Sequence, residues 1–253
     1  MKYKILFLAL LITGCGILPI EIGVDDVIIL DGYNAGGVEF RDSFNRANGA
    51  PDNGWNVFNI GASDPTINSN VLRFELPIAN TPTPASRANR YTKGTTTISN
   101  DPTIPRLFIN TFDFNFVSYT LEPAILFSPD GVYGNTGQFE INKDSVSGNS
   151  TLVVYWAGGG SSSTTKTIND NTWYTCKTQL LNYGLVGGIY QADWKIKVWE
   201  RGTAEPTWDI EVDSQPQGAI FNLFFMDIRL PDYGTTDPNV IVDIDNFYLY
   251  YED

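Results

Sequence analysis

The chain has 253 residues, 29 acidic and 16 basic, with a net charge of −13 and no histidine at all. The missing histidine excludes Ser-His-Asp and Cys-His catalysis, histidine-ligated zinc and histidine pH switching, and the negative charge opposes nucleic acid and anionic lipid headgroups as partners. The length suits one large all-β domain or two small ones.

In chain order, the first element is a leader. Lys2 and Lys4 stand ahead of the apolar run Ile5 to Ile12, and Thr13, Gly14 and Cys15 follow. A bilayer span takes about 20 apolar residues, so this shorter run reads as an export signal. It resembles the signal of bacterial lipoproteins. That resemblance implies a signal peptide over 1–14, with Cys15 acylated (palmitate) as the first mature residue. The protein would then sit in the bacterial cell envelope, held to a membrane through its N-terminal lipid only. The alternative is an ordinary secretory signal with an incidental cysteine. Gly16 stands where many inner-membrane lipoproteins have aspartate, which favours the outer membrane, or the cell surface in a single-membraned host. Residues 15–37 read as a lipidated cysteine and tether, with a short strand at Val27 to Leu30, and a single domain is expected over 38–252.

Beyond the tether, strand signals dominate and no amphipathic helix is found. In Arg106 to Phe116, Phe108, Phe112, Phe114 and Phe116 share one face, and Asp113 and Asn115 the other. Phe139 and Ile141 oppose Gln138, Glu140 and Asn142. Trp194, Ile196 and Val198 oppose Lys195, Lys197 and Trp199. Phe224, Met226 and Ile228 oppose Asp227 and Arg229. Each run buries one face and leaves the other polar, a pattern met by two antiparallel sheets packed face to face. Residues 80–105 read as including long loops, and Gly158 to Thr165 as a turn. Cys176, in an alternating run, reads as a small buried apolar residue without a disulfide partner if Cys15 carries lipid.

Two segments carry a family resemblance: EFRDSFNRANGAPDNGW, Glu39 to Trp55, and NTWYTCKTQL with ADWKIKVWERGTAEPTW, between Asn171 and Trp208. The closing VDIDNFYLYY, Val242 to Tyr251, adds to them. Together they resemble the concanavalin A-like lectin/glucanase jelly roll in its bacterial LamG-like form. The resemblance implies an all-β, antiparallel two-sheet β-sandwich. Trp199 and Trp208 flank the Arg201–Gly202–Thr203 turn and read as a structural pair closing the rim, with ligand stacking as the alternative.

The family binds or cleaves glycans. Its family-16 glucanases carry Glu-x-Asp-x-x-Glu on one strand, and this chain has no equivalent; Asp209 to Asp213 is the nearest imitation and reads as a solvated acidic strand. A glycan-binding face is instead expected at Gln138, Glu140 and Asn142, with Tyr155 joining them if the two runs form a hairpin. Amides and a carboxylate bond sugar hydroxyls, and an aromatic ring stacks on the sugar's C–H face. A plain solvated sheet face is the competing reading. Tyr133 and Trp156 are further aromatic candidates, Trp156 being core if it shares a face with Leu152 and Val154. The resemblance also implies a structural calcium, held by Asp245 with Glu39 or Asp42 across the strand pair. The alternative there is an Asp245–Asn246 bulge bonding its own backbone.

Three functions follow as expectations. The first is a non-catalytic, lipid-anchored binder of polysaccharide or glycan. The second is a structural, adhesion or assembly subunit that contacts protein. The third is a glycoside hydrolase or polysaccharide lyase with an atypical site, using Glu140 with Asp113 or Asp227. No nucleic acid is expected as partner.

Overall fold

Runs that alternate apolar and polar side chains can hide one face only as strands, and each alternating run is a strand in the computed structural model of the chain. The structure describes residues 38–53, 55–60, 64–76, 85–91, 106–119, 122–128, 137–144, 148–217, 223–229 and 240–251. The leader, Cys15, the tether with its Val27 to Leu30 strand, and Tyr133 lie outside them. All described residues fall in the unit Gly36–Asp253.

The strands are β1 (Val38–Asp42), β2 (Trp55–Ile60), β3 (Thr66–Asn68), β4 (Val71–Leu76), β5 (Ala85–Tyr91), β6 (Arg106–Ser118), β7 (Ala124–Ser128) and β8 (Gly137–Lys143). They continue as β9 (Asn149–Trp156), β10 (Gly160–Thr167), β11 (Tyr174–Val186), β12 (Ile189–Glu200), β13 (Ile210–Gln217), β14 (Leu223–Arg229) and β15 (Val240–Tyr251). The first sheet runs β13-β12-β11-β6-β15-β4-β3, with β1 also paired to β15. The second runs β10-β9-β8-β7-β14-β5-β2. All the pairings are antiparallel, and no helix occurs among the described residues. The fold is an antiparallel β-sandwich of the jelly-roll, concanavalin A-like kind.

Aromatic rings stitch the two layers together. Phe112 of β6 meets Phe127 of β7 across the layers at 5.2 Å, Phe127 stacks on Phe139 of β8 at 5.4 Å, and Phe139 meets Trp194 of β12 at 5.1 Å. The path thus leaves the first sheet, crosses the second and returns. Cys176 is fully buried in this core, in β11.

A second aromatic cluster explains the early motif. Trp55 of β2 packs edge-on against Phe247 of β15 at 5.1 Å and, tilted, against Phe44 at 5.7 Å. Asp42 lies inside this cluster. It accepts from the Phe44 N–H at 2.8 Å, the Trp55 indole at 2.8 Å and Arg46 at 2.7 and 3.1 Å. The hydrogen bond from Phe44 N–H to the Asp42 side chain is an Asx-type turn, which accounts for a phenylalanine at φ +52°.

Within the 80–105 region strand β5 ladders with β14 on one side and β2 on the other, and the residues around it, where long loops are expected, lie outside the described ones. One expectation needs correction. Gly158 to Thr165 is a turn only at Gly158 and Gly159; from Gly160 the chain pairs with β9 as strand β10. Ser161, Ser163, Thr165 and Thr167 are exposed on one face. A polar edge strand of this kind blunts edge-to-edge association.

Candidate glycan-binding face

Each sheet has one face turned away from the core between the layers, and the two differ in what they offer. On the first sheet, the segment after β12 folds back over β11 and β12. Lys197 lies between Trp208 at 4.4 Å and Trp199 at 5.8 Å from the ring centroids. It also pairs with Glu205 and donates to the Pro206 carbonyl at 3.3 Å. Lys177 reaches Glu205 at 3.1 Å. Burial pushes the Glu205 carboxyl up, but the two lysines outweigh it and hold it below its ordinary value. The late motif is therefore a clasp, and the tryptophan pair has the structural role expected of it. In the acidic run beyond it, Asp209 is held at 2.8 Å by Lys166 and by the Val198 N–H, and Glu211 pairs with Lys195.

Farther along the same face, Asp113 accepts from Thr175 at 2.6 Å and Asn246 at 2.8 Å, with Arg201 Nε at 3.1 Å. Arg201 also reaches Asp245 at 3.3 Å. Burial, reinforced by the charge of Asp113, raises Asp245 above its ordinary carboxyl value against the pull of Asn246 and Arg201. The register shifts between Asp245 and Tyr248, Asn246 takes φ +47°, and its N–H bonds the Asp245 side chain at 2.8 Å. This is the self-bonding bulge that stood as the alternative to calcium. Asp42 and Asp245 are thus each matched to an arginine. Asp42 would take a calcium ion only by giving up Arg46 and the indole. The side chain of Glu39 lies outside the described residues, and among those described no three acidic groups gather.

The outer face of the second sheet is built differently. Phe139 and Ile141 of β8 turn inward and are buried, so Gln138, Glu140 and Asn142 turn outward. β8 and β9 are antiparallel neighbours, as a hairpin requires. Their register sets Tyr155 opposite Gln138 and Thr151 opposite Asn142. The Gln138 amide donates to Glu140 Oε1, and the Asn142 amide donates to Glu140 Oε2 at 3.1 Å. Gln138 is 8% exposed, and its Oε1 is buried without a partner among the described residues. Tyr155 is 37% exposed, among the most open large side chains described. All four expected residues therefore fall on one face, three of them joined by hydrogen bonds. Trp156 turns the other way and packs against the core, as its sharing a face with Leu152 and Val154 required.

The register extends this face in both directions. Toward the edge, Ser161 stands opposite Tyr155 and Ser163 opposite Val153. Toward the middle, Glu140 is followed by Leu126 of β7, Asp227 of β14 and Arg87 of β5. Sequence reasoning missed the β10 hydroxyls because a run of Ser and Thr has no apolar alternation to mark it as a strand. It named Asp113 as a partner for Glu140, but Asp113 is on the other sheet, bound into the Arg201 network. Asp227, the other named partner, holds a register position in the same row as Glu140.

No family model matches the chain, and no curated protein matches it. Solved structures do. Alginate lyase Aly36B in complex with alginate trisaccharide matches with a TM-score of 0.50 at 14% identity, covering 84% of this chain and 97% of its own. The same enzyme with alginate tetrasaccharide gives 0.50 at 13%, covering 84% and 96%. A β-1,3-glucanase from Mycobacterium marinum gives 0.42 at 15%, covering 84% and 97%. The alginate lyase match shows a shared fold.

Proposed function

We propose that the chain is a lipid-anchored envelope protein whose second sheet binds polysaccharide on its outer face. The observation that carries this reading is the Gln138–Glu140–Asn142 row, hydrogen-bonded within itself, with Tyr155 in register beside it. Polar groups fixed in place by one another make a ready hydrogen-bonding surface, and an exposed ring supplies a stacking platform. A sandwich of this fold holding an alginate trisaccharide supports carbohydrate as the ligand class. Cys15 carries the lipid in this reading; labelled palmitate should enter the wild-type chain and not a Cys15→Ser variant.

A second reading, catalysis, is favoured by one observation. Glu140 and Asp227 lie in one register row with only Leu126 between them. Two strand spacings put their backbones about 10 Å apart, near the roughly 6.5–9.5 Å carboxyl separation of inverting glycosidases. One experiment separates the readings. Affinity electrophoresis through polysaccharide gels is run for wild type, Tyr155→Ala and Glu140→Gln, with release of reducing ends assayed alongside. Binding alone predicts retention that falls about tenfold in Tyr155→Ala, the size of one lost stacking or hydrogen-bonding contact, and no reducing ends. Turnover abolished by Glu140→Gln would favour the catalytic reading. Retention unchanged in both variants would remove the site.

A further inference from the structure

The hairpin that joins β11 to β12 ends in an apolar tip. β6 begins at Arg106, in register with Asn182, and β13 ends at Gln217, in register with Tyr190. The segment from Val186 to Ile189 therefore outruns both neighbouring strands. Gly187 and Gly188 turn the chain at φ +62° and +86°, the two left-handed residues that a tight hairpin turn needs. Val186 stands directly opposite Ile189 across that turn, and the two are 47% and 56% exposed. One step back, half-buried Tyr190 is in register with Leu185. At the base, the Tyr183 hydroxyl donates to Asp193. A Cβ on either glycine would meet nothing within 4 Å, so the tip stands clear of the other described residues. From Thr178 to Ala192 no residue is charged, in a chain with 29 acidic and 16 basic residues.

The register of the first sheet shows which way this tip points relative to the start of the domain. Val38 is in register with Tyr251, Tyr251 with Phe108, Phe108 with Leu180, and Leu180 with Trp194. From Val38, β1 runs away from the hairpin tip, reaching Asp42 opposite Phe247. The backbone at Val38 therefore points back toward the tip's end of the sheet. Gly187 lies seven residues past Leu180 with one bulge between, about 20 Å farther out at roughly 3.3 Å per residue. Cys15 precedes Val38 by 23 residues, a reach of up to about 75 Å, which covers that distance. Resting on the lipid-anchored reading above, we infer that the β11–β12 tip is a second membrane contact. Val186 and Ile189 enter the interface of the bilayer that holds the Cys15 lipid, with Tyr190 and Tyr183 at the level of the headgroups, where tyrosine rings favour the boundary. The surface it fits is a neutral, zwitterionic one. The net charge of −13 opposes anionic headgroups, and the uncharged tip carries nothing that is costly to bring against acyl chains. One acyl chain alone anchors weakly and reversibly, and a second signal makes the attachment stable. The tip supplies that signal and fixes which end of the sandwich meets the membrane.

The test uses the full chain, recovered from cells fed labelled palmitate and reconstituted into phosphatidylcholine vesicles. A nitrobenzoxadiazole fluorophore is placed on Val186→Cys at the tip or on Ala204→Cys, an exposed position past the opposite end of β12. The chain without an added cysteine gives the background from Cys176. On reconstitution the Val186→Cys label should shift its emission to the blue and be quenched by lipids carrying a nitroxide high on the acyl chain, the depth of about 5–10 Å that interfacial segments reach. The Ala204→Cys label should do neither. Adding Ile189→Asp to the Val186→Cys chain sets a charge at the tip and should abolish both signals, Ile189→Ser should weaken them, and Ile189→Leu should keep them. Urea melts confirm that each variant is folded. A Val186→Cys label that stays in water on a chain carrying palmitate overturns the inference and leaves the anchor standing. A blue shift without nitroxide quenching means that protein, a second copy or another partner, covers the tip, and it overturns the inference too. So does quenching that survives Ile189→Asp, or equal quenching at Ala204→Cys. Wild type without palmitate fells the anchor reading and the inference with it.

Discussion

One carboxylate, Asp42, ties the first strand to the second sheet. It gathers the Arg46 guanidinium, the Phe44 N–H and the Trp55 indole, the last from β2. Burial pushes its carboxyl up, but these hydrogen bonds outweigh burial and hold it below its ordinary value of 3.8. A carboxyl depressed in the folded state contributes stability that is present above its unfolded value and lost as pH falls through the folded one. Asp42→Asn should therefore cost about 2–4 kcal/mol at neutral pH, because a buried ion pair and its hydrogen bonds are broken from one side. The gap to wild type should close as urea melts are taken from pH 7 to below 3.8. Asp245 has the opposite sign. Its folded value is raised, so its charge costs stability above that value and costs nothing below 3.8. Asp245→Asn removes that charge, so at neutral pH the variant should be at least as stable as wild type. A loss of under about 0.5 kcal/mol in Asp42→Asn would mean that the Asp42 clasp is no more than a surface contact.

At the scale of elements, legibility in the sequence followed apolar alternation. β6, β8 and β12 could be read because Phe112, Ile141 and Trp194 recur on every second residue among polar neighbours, and only a half-buried strand accounts for that. β10 carries Ser, Thr and Lys with no apolar period, so nothing local separates it from a loop; its strand state comes from the β9 ladder beside it. β5, Ala-Ser-Arg-Ala-Asn-Arg-Tyr, is equally silent. The candidate site shows the same division. Gln138, Glu140 and Asn142 were legible from alternation on one strand, and Tyr155 from its place in the neighbouring run. The alignment of Glu140 with Leu126, Asp227 and Arg87 was not, because register between distant segments is set by packing. Nor was the role of Gly137, which reads as one more loop glycine. A Cβ there would lie 2.5 Å from the Trp194 ring and 2.7 Å from the Tyr155 carbonyl, and φ is +106°. The glycine lets β8 enter directly over the core tryptophan, which sets where Gln138 begins the outward polar row. Likewise an acid at position 42 was visible, but the arginine and indole it serves were not.

Across the whole molecule, the rings that run from Phe112 through Phe127 and Phe139 to Trp194 bridge the two layers, and Cys176 reports whether they open together. The thiol is fully buried in β11, in register with Phe112 on one side and Val198 on the other. Burial pushes its pKa well above the ordinary thiol range, and the charge of Asp209 adds to the shift. A disulfide-forming reagent needs both access and a thiolate, so Cys176 can react only when the sheets part. If the sandwich opens as a unit, the labelling rate follows the global unfolding equilibrium. Cys176 should then resist a thiol reagent at pH 8 without denaturant, and its labelling should rise through urea with the same midpoint as tryptophan fluorescence. A reductant should leave both midpoints unchanged, since Cys176 forms no disulfide in this core. Labelling complete well below the fluorescence midpoint would show β11 detaching while the rest stays folded. The aromatic path would then join two separately stable layers, and a binding face on the second sheet would owe nothing to the first.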